Sequence, residues 1–244
     1  MSRESEKRLR CRLHRQMKRE TGGGRARLSI AALSKVPRRD EYIVELSDGY
    51  RFRVSAAQLP RYGIDVGRRI DADEVPEIER AFETGSARSA ALRLLKVRPR
   101  ATGELRRELV RRKFGAGAIG EAIHDLEAAG VLDDRLFARL WIKERIERKG
   151  FGKRRIASEL MSKGVLREIV EEELEHGFSR MTELAVALRA ARGRLRRLEQ
   201  YPPATRKRRL YSYLLRSGFN SETAGEAVES VLDSMSGEHP DDIE

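Results

Sequence analysis

One cysteine, one tryptophan and four histidines in 244 residues leave little of the side-chain chemistry that catalysis most often uses. Cys11 alone excludes a disulfide framework and any cysteine-based zinc site. His14, His124, His176 and His239 lie too far apart for a local His-x-x-x-His pair. No apolar run approaches the ~18 residues that would cross a bilayer. The basic N-terminal stretch lacks the apolar core of a signal peptide. No Ser-His-Asp or Cys-His constellation can be made out. These absences predict a soluble, cytoplasmic chain with no cofactor and no metal.

Charge is what the chain has in excess. Charged residues are 37% of it, against a norm of roughly 25%. Fifty-one basic residues face 39 acidic ones, a net charge of +12. Such a balance points to an anionic partner: nucleic acid, an acidic protein or an acidic membrane. Arg outnumbers Lys by 41 to 10. Arg is the better bidentate phosphate donor, although a genomic composition bias gives the same ratio. The charge is unevenly spread. Residues 1–40 carry a net +9, residues 41–85 a net −4 and residues 179–232 a net +6. The last twelve residues hold five acids and no base.

The segment before Leu28 contains Gly22-Gly23-Gly24 and few large apolar residues, so residues 1–25 read as a disordered basic arm. The β-signal follows. Tyr42–Leu46 and Tyr50–Val54 flank Ser47-Asp48-Gly49, and the second run alternates, with Tyr50, Phe52 and Val54 on one face. Asp-Gly between such runs predicts a hairpin. Leu28–Val36 supplies a third strand, since a lone hairpin is marginal. Short helices are expected at Ala56–Tyr62 and Asp73–Glu83.

From Ser86 onward the apolar pattern is helical and repeats. Leu105, Leu109 and Phe114 are spaced four then five; so are Ile156, Leu160 and Val165, and so are Leu210, Leu214 and Phe219. The offsets between triplets are 51 and 54 residues. Gly164 and Gly218 precede the last apolar residue of their triplets, as helix C-cap glycines would. Before each triplet lies a first helix (Ala90–Val97, Leu136–Arg148, Met181–Arg197). After each lies a third apolar stripe: Ile119, Ile123 and Leu126; Ile169, Val170 and Leu174; Ala224, Val228 and Val231. A period near 50 residues signals tandem units that bury each other's faces. Gly130 and Gly177 punctuate the joins. The expected division is a basic arm at 1–25, a small α+β module at 26–85, three-helix repeats at 86–132, 133–178 and 179–236, and an acidic tail at 237–244.

At ~100° per residue, the core leucines of each second helix fix what points outward. In the first repeat Arg107 and Arg111 do, with Arg106 on the flank; in the second, Arg154, Arg155, Ser158 and Ser162; in the third, Arg208, Arg209, Ser212 and Arg216. Stacked repeats would align these into one basic stripe, the footprint of phosphate or acidic-protein binding. A solvated helix face in a highly charged chain has the same composition. Lys149-Gly150-Phe151-Gly152-Lys153 could touch an anion beside a helix start. The run lacks G-x-x-x-x-G-K-[ST] and a preceding strand, which disfavours a nucleotide site and favours a plain interhelical turn with Phe151 as a packing residue. Asp133-Asp134 opens a helix, so capping is the reading of choice over a magnesium-binding nuclease pair. Trp141, on the same helix, reads as core.

Several of these runs resemble the RecX family of bacterial regulatory proteins, modulators of the RecA recombinase. They are Gly130–Ala138, Lys149-Gly150-Phe151-Gly152 and Ile156–Val165, with Ala91-Leu92 through Arg98, Glu104–Leu109 and Leu214–Phe219. The likeness covers residues 86–232, and the hairpin module is similar to the N-terminal extension of longer members. Ala101 stands where a Ser cap is usual, and Arg192–Thr205, with Tyr201-Pro202-Pro203, is an insert. The resemblance implies a mainly α fold of three tandem three-helix repeats in an elongated, curved body after the β-hairpin module. It implies a monomeric regulator in DNA repair, recombination and the SOS response. Such a protein binds the RecA filament on single-stranded DNA, lies in its groove and limits its activity, without catalysis. The filament- or DNA-binding residues are then Arg106, Arg107, Arg111, Lys149, Lys153, Arg154, Arg155, Arg208, Arg209 and Arg216. The residues alone leave open a stand-alone nucleic-acid-binding protein and, on Asp133 and Asp134, a nuclease. Glu144, Glu147, Glu159 and Glu171–Glu173, interleaved with bases, give a surface of mixed sign that suits a protein groove.

Overall fold

The computed structural model describes residues 27–179 and 181–236, with the side chains of Met235 and Ser236 left aside. The basic arm at 1–25 and the acidic tail at 237–244 lie outside the described residues. The chain forms two compact units. Among the described residues, one is built from those up to Ser89 together with Phe114–Ala122; the other from Ala90–Lys113 and those from Ile123 onward.

The first unit opens with β1 (Arg27–Lys35), β2 (Glu41–Leu46) and β3 (Arg51–Ser55), then a one-turn α1 (Gln58–Arg61) and β4 (Arg69–Asp71). The sheet is antiparallel, in the order β3-β2-β1-β4. The expected hairpin is present: Val44 faces Phe52, Tyr42 faces Val54, and Gly49 takes φ +81 in the turn. A register shift between Ile30 and Ala32 lets Ile30 face Leu46 and Leu33 face Val44. Alternation then buries Ile30, Val44, Leu46, Phe52 and Val54 on one side, under Ile64, Ile70, Val75 and Ile78. The fourth strand carries no signal of its own, because Arg69-Ile70-Asp71 has one apolar residue; β1 recruits it by pairing Leu28 with Ile70.

Val75 and Ile78 belong to α2 (Glu74–Val97), a single helix of 24 residues. The separate helices expected at Asp73–Glu83 and Ala90–Val97 are therefore one. The residues between them include Gly85 and two serines, yet helical geometry continues through them. Gly85 costs only ~1 kcal/mol in a helix interior. In the same unit Ala87, Ala118 and Ala122 pack with Phe114, and the Gly115 N–H donates to Glu83 Oε1 at 2.8 Å.

The remaining helices are α3 (Thr102–Arg111), α4 (Ala116–Ala128), α5 (Asp134–Glu144), α6 (Lys153–Lys163), α7 (Arg167–Ser179), α8 (Glu183–Leu195), α9 (Pro203–Arg216) and α10 (Ser221–Ser236). Leu105, Leu109, Ile156, Leu160, Leu210 and Leu214 are all fully buried, as the triplets require. One continuous core in the second unit takes Phe137, Ala138 and Ile142 from α5, Val170, Leu174 and Phe178 from α7, Val186, Ala187 and Ala191 from α8, and Ala224, Val228 and Val231 from α10. The second helices end alike. Gly164 and Gly218 adopt φ +88 and +94, and in the first repeat Lys113 holds the corresponding position at φ +68. The Val165 and Phe219 N–H groups then close on the Leu160 and Leu214 carbonyls.

Two local expectations need correction, and the insert can now be placed. The Leu136–Arg148 helix is α-helical only to Glu144; Arg145–Lys149 form a π-helical turn that Gly150 ends at φ +61. Gly177 is not a join but lies inside α7, where an added Cβ would sit 2.5 Å from Ile142 Cγ2. The insert Arg192–Thr205 begins with the last turn of α8, crosses turns to Pro202 and enters α9, where Pro203 occupies the first turn. Proline suits that place because its missing N–H is not needed there.

Candidate binding surface

The second helices of successive repeats meet end to end. At the first joint Gly103 of α3 lies against Gly164 of α6; a Cβ on Gly103 would come within 2.7 Å of the Gly164 Cα. Arg107 Nη2 donates to the Ser162 carbonyl at 2.9 Å. At the second joint Gly152, the N-cap of α6, lies against Gly218, where a Cβ would come within 2.6 Å of the Gly218 carbonyl carbon. Here the backbones bond directly. The Gly152 N–H donates to the Ser217 carbonyl at 2.9 Å, and the Arg154 N–H to the Gly218 carbonyl at 3.2 Å. Arg155 Nη1 adds a bond to the Arg216 carbonyl at 3.3 Å. The free N–H groups of one helix thus meet the free carbonyls of the next, and their dipoles align head to tail. This explains Gly152: the run Lys149–Lys153 makes an interhelical turn in which backbone must approach backbone.

Several carboxylates of the second repeat cap helices or pair with cations. Asp133 caps α5, its Oδ1 accepting the Leu136 N–H at 3.0 Å. Asp134 does different work, accepting the Thr102 N–H at 2.8 Å and so capping α3, where Ala101 has no side-chain cap to offer. Burial raises the Asp134 carboxyl above its ordinary range, opposed by the hydrogen bonds from Thr102. Both carboxylates are thereby engaged, and among the described residues no group of three His, Cys, Asp or Glu side chains is placed to hold a metal ion. Glu173 is buried, with Arg139 bidentate on it at 2.6 and 3.1 Å; the Arg139 hydrogen bonds hold it below the usual carboxylate range. Burial pushes Glu159 up, but the Arg145 hydrogen bond and charge more than offset it, and its titration falls below the ordinary value. Its Oε2 also accepts Trp141 Nε1–H at 3.0 Å.

Trp141 is half-buried rather than core. Its ring stacks with Phe137 and carries the Arg145 guanidinium at 3.9 Å and the Lys163 ammonium at 4.3 Å. Lys163 in turn lies 3.9 Å from Glu104. Hydrogen bonding to Arg98 holds Glu104 below the usual carboxylate range, with burial opposing and the charges of Lys163, Arg98 and Arg100 assisting. Of the carboxylates that gave the second repeat its mixed sign, Glu173 is buried and Glu159 half-buried, while Glu147, Glu171 and Glu172 are exposed, the last two paired with Arg167 and Arg135.

The ten basic residues named above fall into two sets. Arg107 and Arg155 bond to carbonyls at the joints. Arg155 also stacks on Phe151 at 3.7 Å, and Arg209, its counterpart 54 residues on, stacks on Tyr201 at 3.8 Å. Arg111 pairs with Glu108, and Lys153 lies over Phe178 at 5.3 Å. The side chains of Arg106, Lys149, Arg154, Arg208 and Arg216 are exposed, with no carboxylate partner among the described residues. The first repeat differs in kind, for Glu104 stands at the register of Arg155 and Arg209.

Arg154 and Arg208 occupy the same register, and seven residues after each, on the same helical stripe, is an exposed apolar side chain. Met161 is 47% exposed and Leu215 38%; Val110, the first-repeat counterpart, is 58% exposed. The triplet spacing could have flagged these residues, because Val110, Met161 and Leu215 each directly follow the second triplet leucine and point away from the core. The outward stripe of α6 and of α9 is thus a free guanidinium followed, two turns on, by an apolar contact.

Stacked three-helix units joined end to end, with a repeated outward stripe and no cluster of metal-ligating groups among the described residues, define a tandem helical-repeat protein. Family models describing the first, second and third three-helix domains of RecX match residues 87–126, 133–174 and 182–228. A regulatory protein RecX of Pelodictyon phaeoclathratiforme is 36% identical over 146 residues, covering 60% of this chain and 89% of the relative. One from Listeria monocytogenes is 28% identical over 190 residues, 78% of this chain and 70% of the relative. A crystal structure of a regulatory protein RecX superposes with a TM-score of 0.65 at 20% identity, covering 84% of this chain and 99% of that one. The chain belongs to the RecX family of regulatory proteins.

No helix among the described residues is long and apolar enough to cross a membrane.

Proposed function

We propose that this protein binds the RecA filament on single-stranded DNA and restrains its recombinase activity in DNA repair, recombination and the SOS response. It acts in the cytoplasm as a monomer, through the outward stripes of the repeats at 86–132, 133–178 and 179–236. Family membership supports the partner. The observation that carries the surface is the shared register of Arg154 with Met161 and Arg208 with Leu215. A phosphate-binding face needs cations alone; a regular cation–apolar alternation suits a partner that presents both charge and a protein surface. Of the basic set, Arg106, Lys149, Arg154, Arg208 and Arg216 make the contact, while Arg107, Arg111, Lys153, Arg155 and Arg209 hold the surface in shape. No catalytic step is required.

The test compares Arg154→Gln with Arg208→Gln, and Met161→Ser with Leu215→Ser, as two double variants over a salt series. Each binds RecA filaments and bare single-stranded oligonucleotide. Loss on the filament by both pairs, with little change on bare DNA, is expected. If only the arginine pair matters, and equally on both ligands, the protein is instead a stand-alone nucleic-acid binder. In that case each lost phosphate contact lowers the log–log salt slope by about 0.7 on single strands.

A further inference from the structure

The two joints between second helices carry different charge, and the difference shows position by position. The offsets of 51 and 54 residues put Arg98 at the register of Lys149, Gly103 at that of Arg154, Glu104 at that of Arg155 and Ser162 at that of Arg216. At the first joint one carboxylate gathers the cations. Glu104 is bonded to Arg98, lies 3.4 Å from Arg100 and reaches across the joint to Lys163 at 3.9 Å. At the second joint a cation holds that place. Arg155 lies on Phe151 and donates to the Arg216 carbonyl, with Glu159 Oε1 3.6 Å from its Nε. Glu159 is already engaged by Arg145 and Trp141 through its other oxygen. The flanking Lys149, Arg154 and Arg216 are exposed and have no carboxylate partner among the described residues.

The start of α6 offers no backbone seat to an anion. The Gly152 and Arg154 N–H groups bond to the Ser217 and Gly218 carbonyls, and the Lys153 N–H to Glu183 Oε1 at 2.9 Å. An anion at this joint therefore meets side chains only. The helix-start N–H groups that favour phosphate are filled, whereas a guanidinium fork also matches a carboxylate. Next to Arg216 stands Leu215, 38% exposed. A nucleic-acid backbone presents nothing apolar to it; a protein segment does. We infer that the second joint is a receptor for an acidic segment of a protein partner. A carboxylate of that segment takes, among Lys149, Arg154 and Arg216, the place that Glu104 fills from within at the first joint. The first joint is closed to the same ligand because it already contains its carboxylate. The partner's identity, the protein of the filament, rests on the proposed function; the charge imbalance between the joints does not.

The experiment titrates the full, isotopically labelled chain with hexaglutamate and, separately, with hexathymidylate at one fixed ionic strength. With hexaglutamate, saturable amide shifts are expected at Gly152, Gly218 and Phe219 of the second joint, while Gly103, Gly164 and Val165 of the first stay in place. Lys149→Gln with Arg216→Gln is expected to weaken hexaglutamate roughly ten-fold, as two exposed ion pairs are lost together. Arg106→Gln with Arg208→Gln removes the same charge from free cations outside the joint and is expected to change the affinity by less than about two-fold. All four side chains are exposed, so neither variant disturbs the core. Equal losses in the two variants overturn the site, and so do equal shifts at the two joints or no shift at either. Tighter binding of hexathymidylate at the same amides overturns the carboxylate assignment and gives the joint to nucleic acid. Neither probe contains RecA, so a failure of filament binding and a failure of this site are read separately.

Discussion

The two joints between second helices achieve the same close approach by different means. At both, glycine lets backbone touch backbone. At the second joint the touch is itself a hydrogen-bonded contact, with Gly152 and Arg154 N–H groups on the Ser217 and Gly218 carbonyls. At the first joint side chains close the gap: Arg107 on the Ser162 carbonyl, as Arg155 is on the Arg216 carbonyl at the second, and Lys163, itself over Trp141, beside Glu104. A backbone-bonded joint is indifferent to pH and to most substitutions except those that add atoms. A side-chain joint depends on particular residues remaining charged. Similar geometry therefore conceals unlike sensitivities.

The largest expected effect comes from the helix common to both joints. Leu160→Ala empties a fully buried site in α6 and should cost ~2–5 kcal/mol by urea denaturation, through the cavity left behind. Next, Gly103→Ala and Gly152→Ala should each cost about 1–3 kcal/mol, because neither backbone neighbour can move aside freely. A costly Gly152→Ala beside a neutral Gly103→Ala would mean that the side-chain joint yields where the backbone joint does not.

The pH dependence separates the joints more finely. Glu104 has its carboxyl lowered in the folded state, so its contribution is present above the unfolded value of roughly 4.3. It is lost as pH falls through the folded value. Glu104→Gln should cost about 1 kcal/mol at neutral pH, a modest figure because Arg98 is partly exposed and screened. The difference from wild type should shrink towards pH 3. A constant difference across that range would show that the charge on Glu104 is irrelevant to the joint. The smallest effects concern the paired aspartates. Asp134→Ala should cost about 1 kcal/mol by uncapping α3, and Asp133→Asn a few tenths, since Asn also caps helices. Magnesium-dependent DNA cleavage by the wild type, lost in Asp133→Asn, would overturn the capping role.

What could be read beforehand follows a physical line. The triplets around Leu105, Ile156 and Leu210 were legible because burial at helical spacing leaves a periodic trace. The hairpin was legible because Asp48-Gly49 must solve a local turn. The fourth strand was not, since Arg69-Ile70-Asp71 acquires its structure from pairing with β1. Nor was the single helix α2, whose middle is weak by composition and continues as helix regardless. At the binding surface the outward phase of Arg154 and Arg208 could be calculated from helix geometry. That Arg107 and Arg155 are spent on carbonyls of the following repeat could not, because the partners lie 55 and 61 residues away. Trp141 misled for a related reason. Its large apolar ring suggests interior, but cations from the following π-helical turn and from α6 make it a platform.

The same Trp141 has an optical consequence. It is the sole tryptophan of the chain, so intrinsic emission excited at the red edge of the indole band comes from one address. That address is beside the side-chain joint, where the indole N–H is bonded to Glu159 and the ring is in contact with two cations. Any influence that parts Lys163 from the ring changes the indole's surroundings without unfolding the chain. The wild-type protein thus carries its own unlabelled spectroscopic gauge of how its first two repeats are joined.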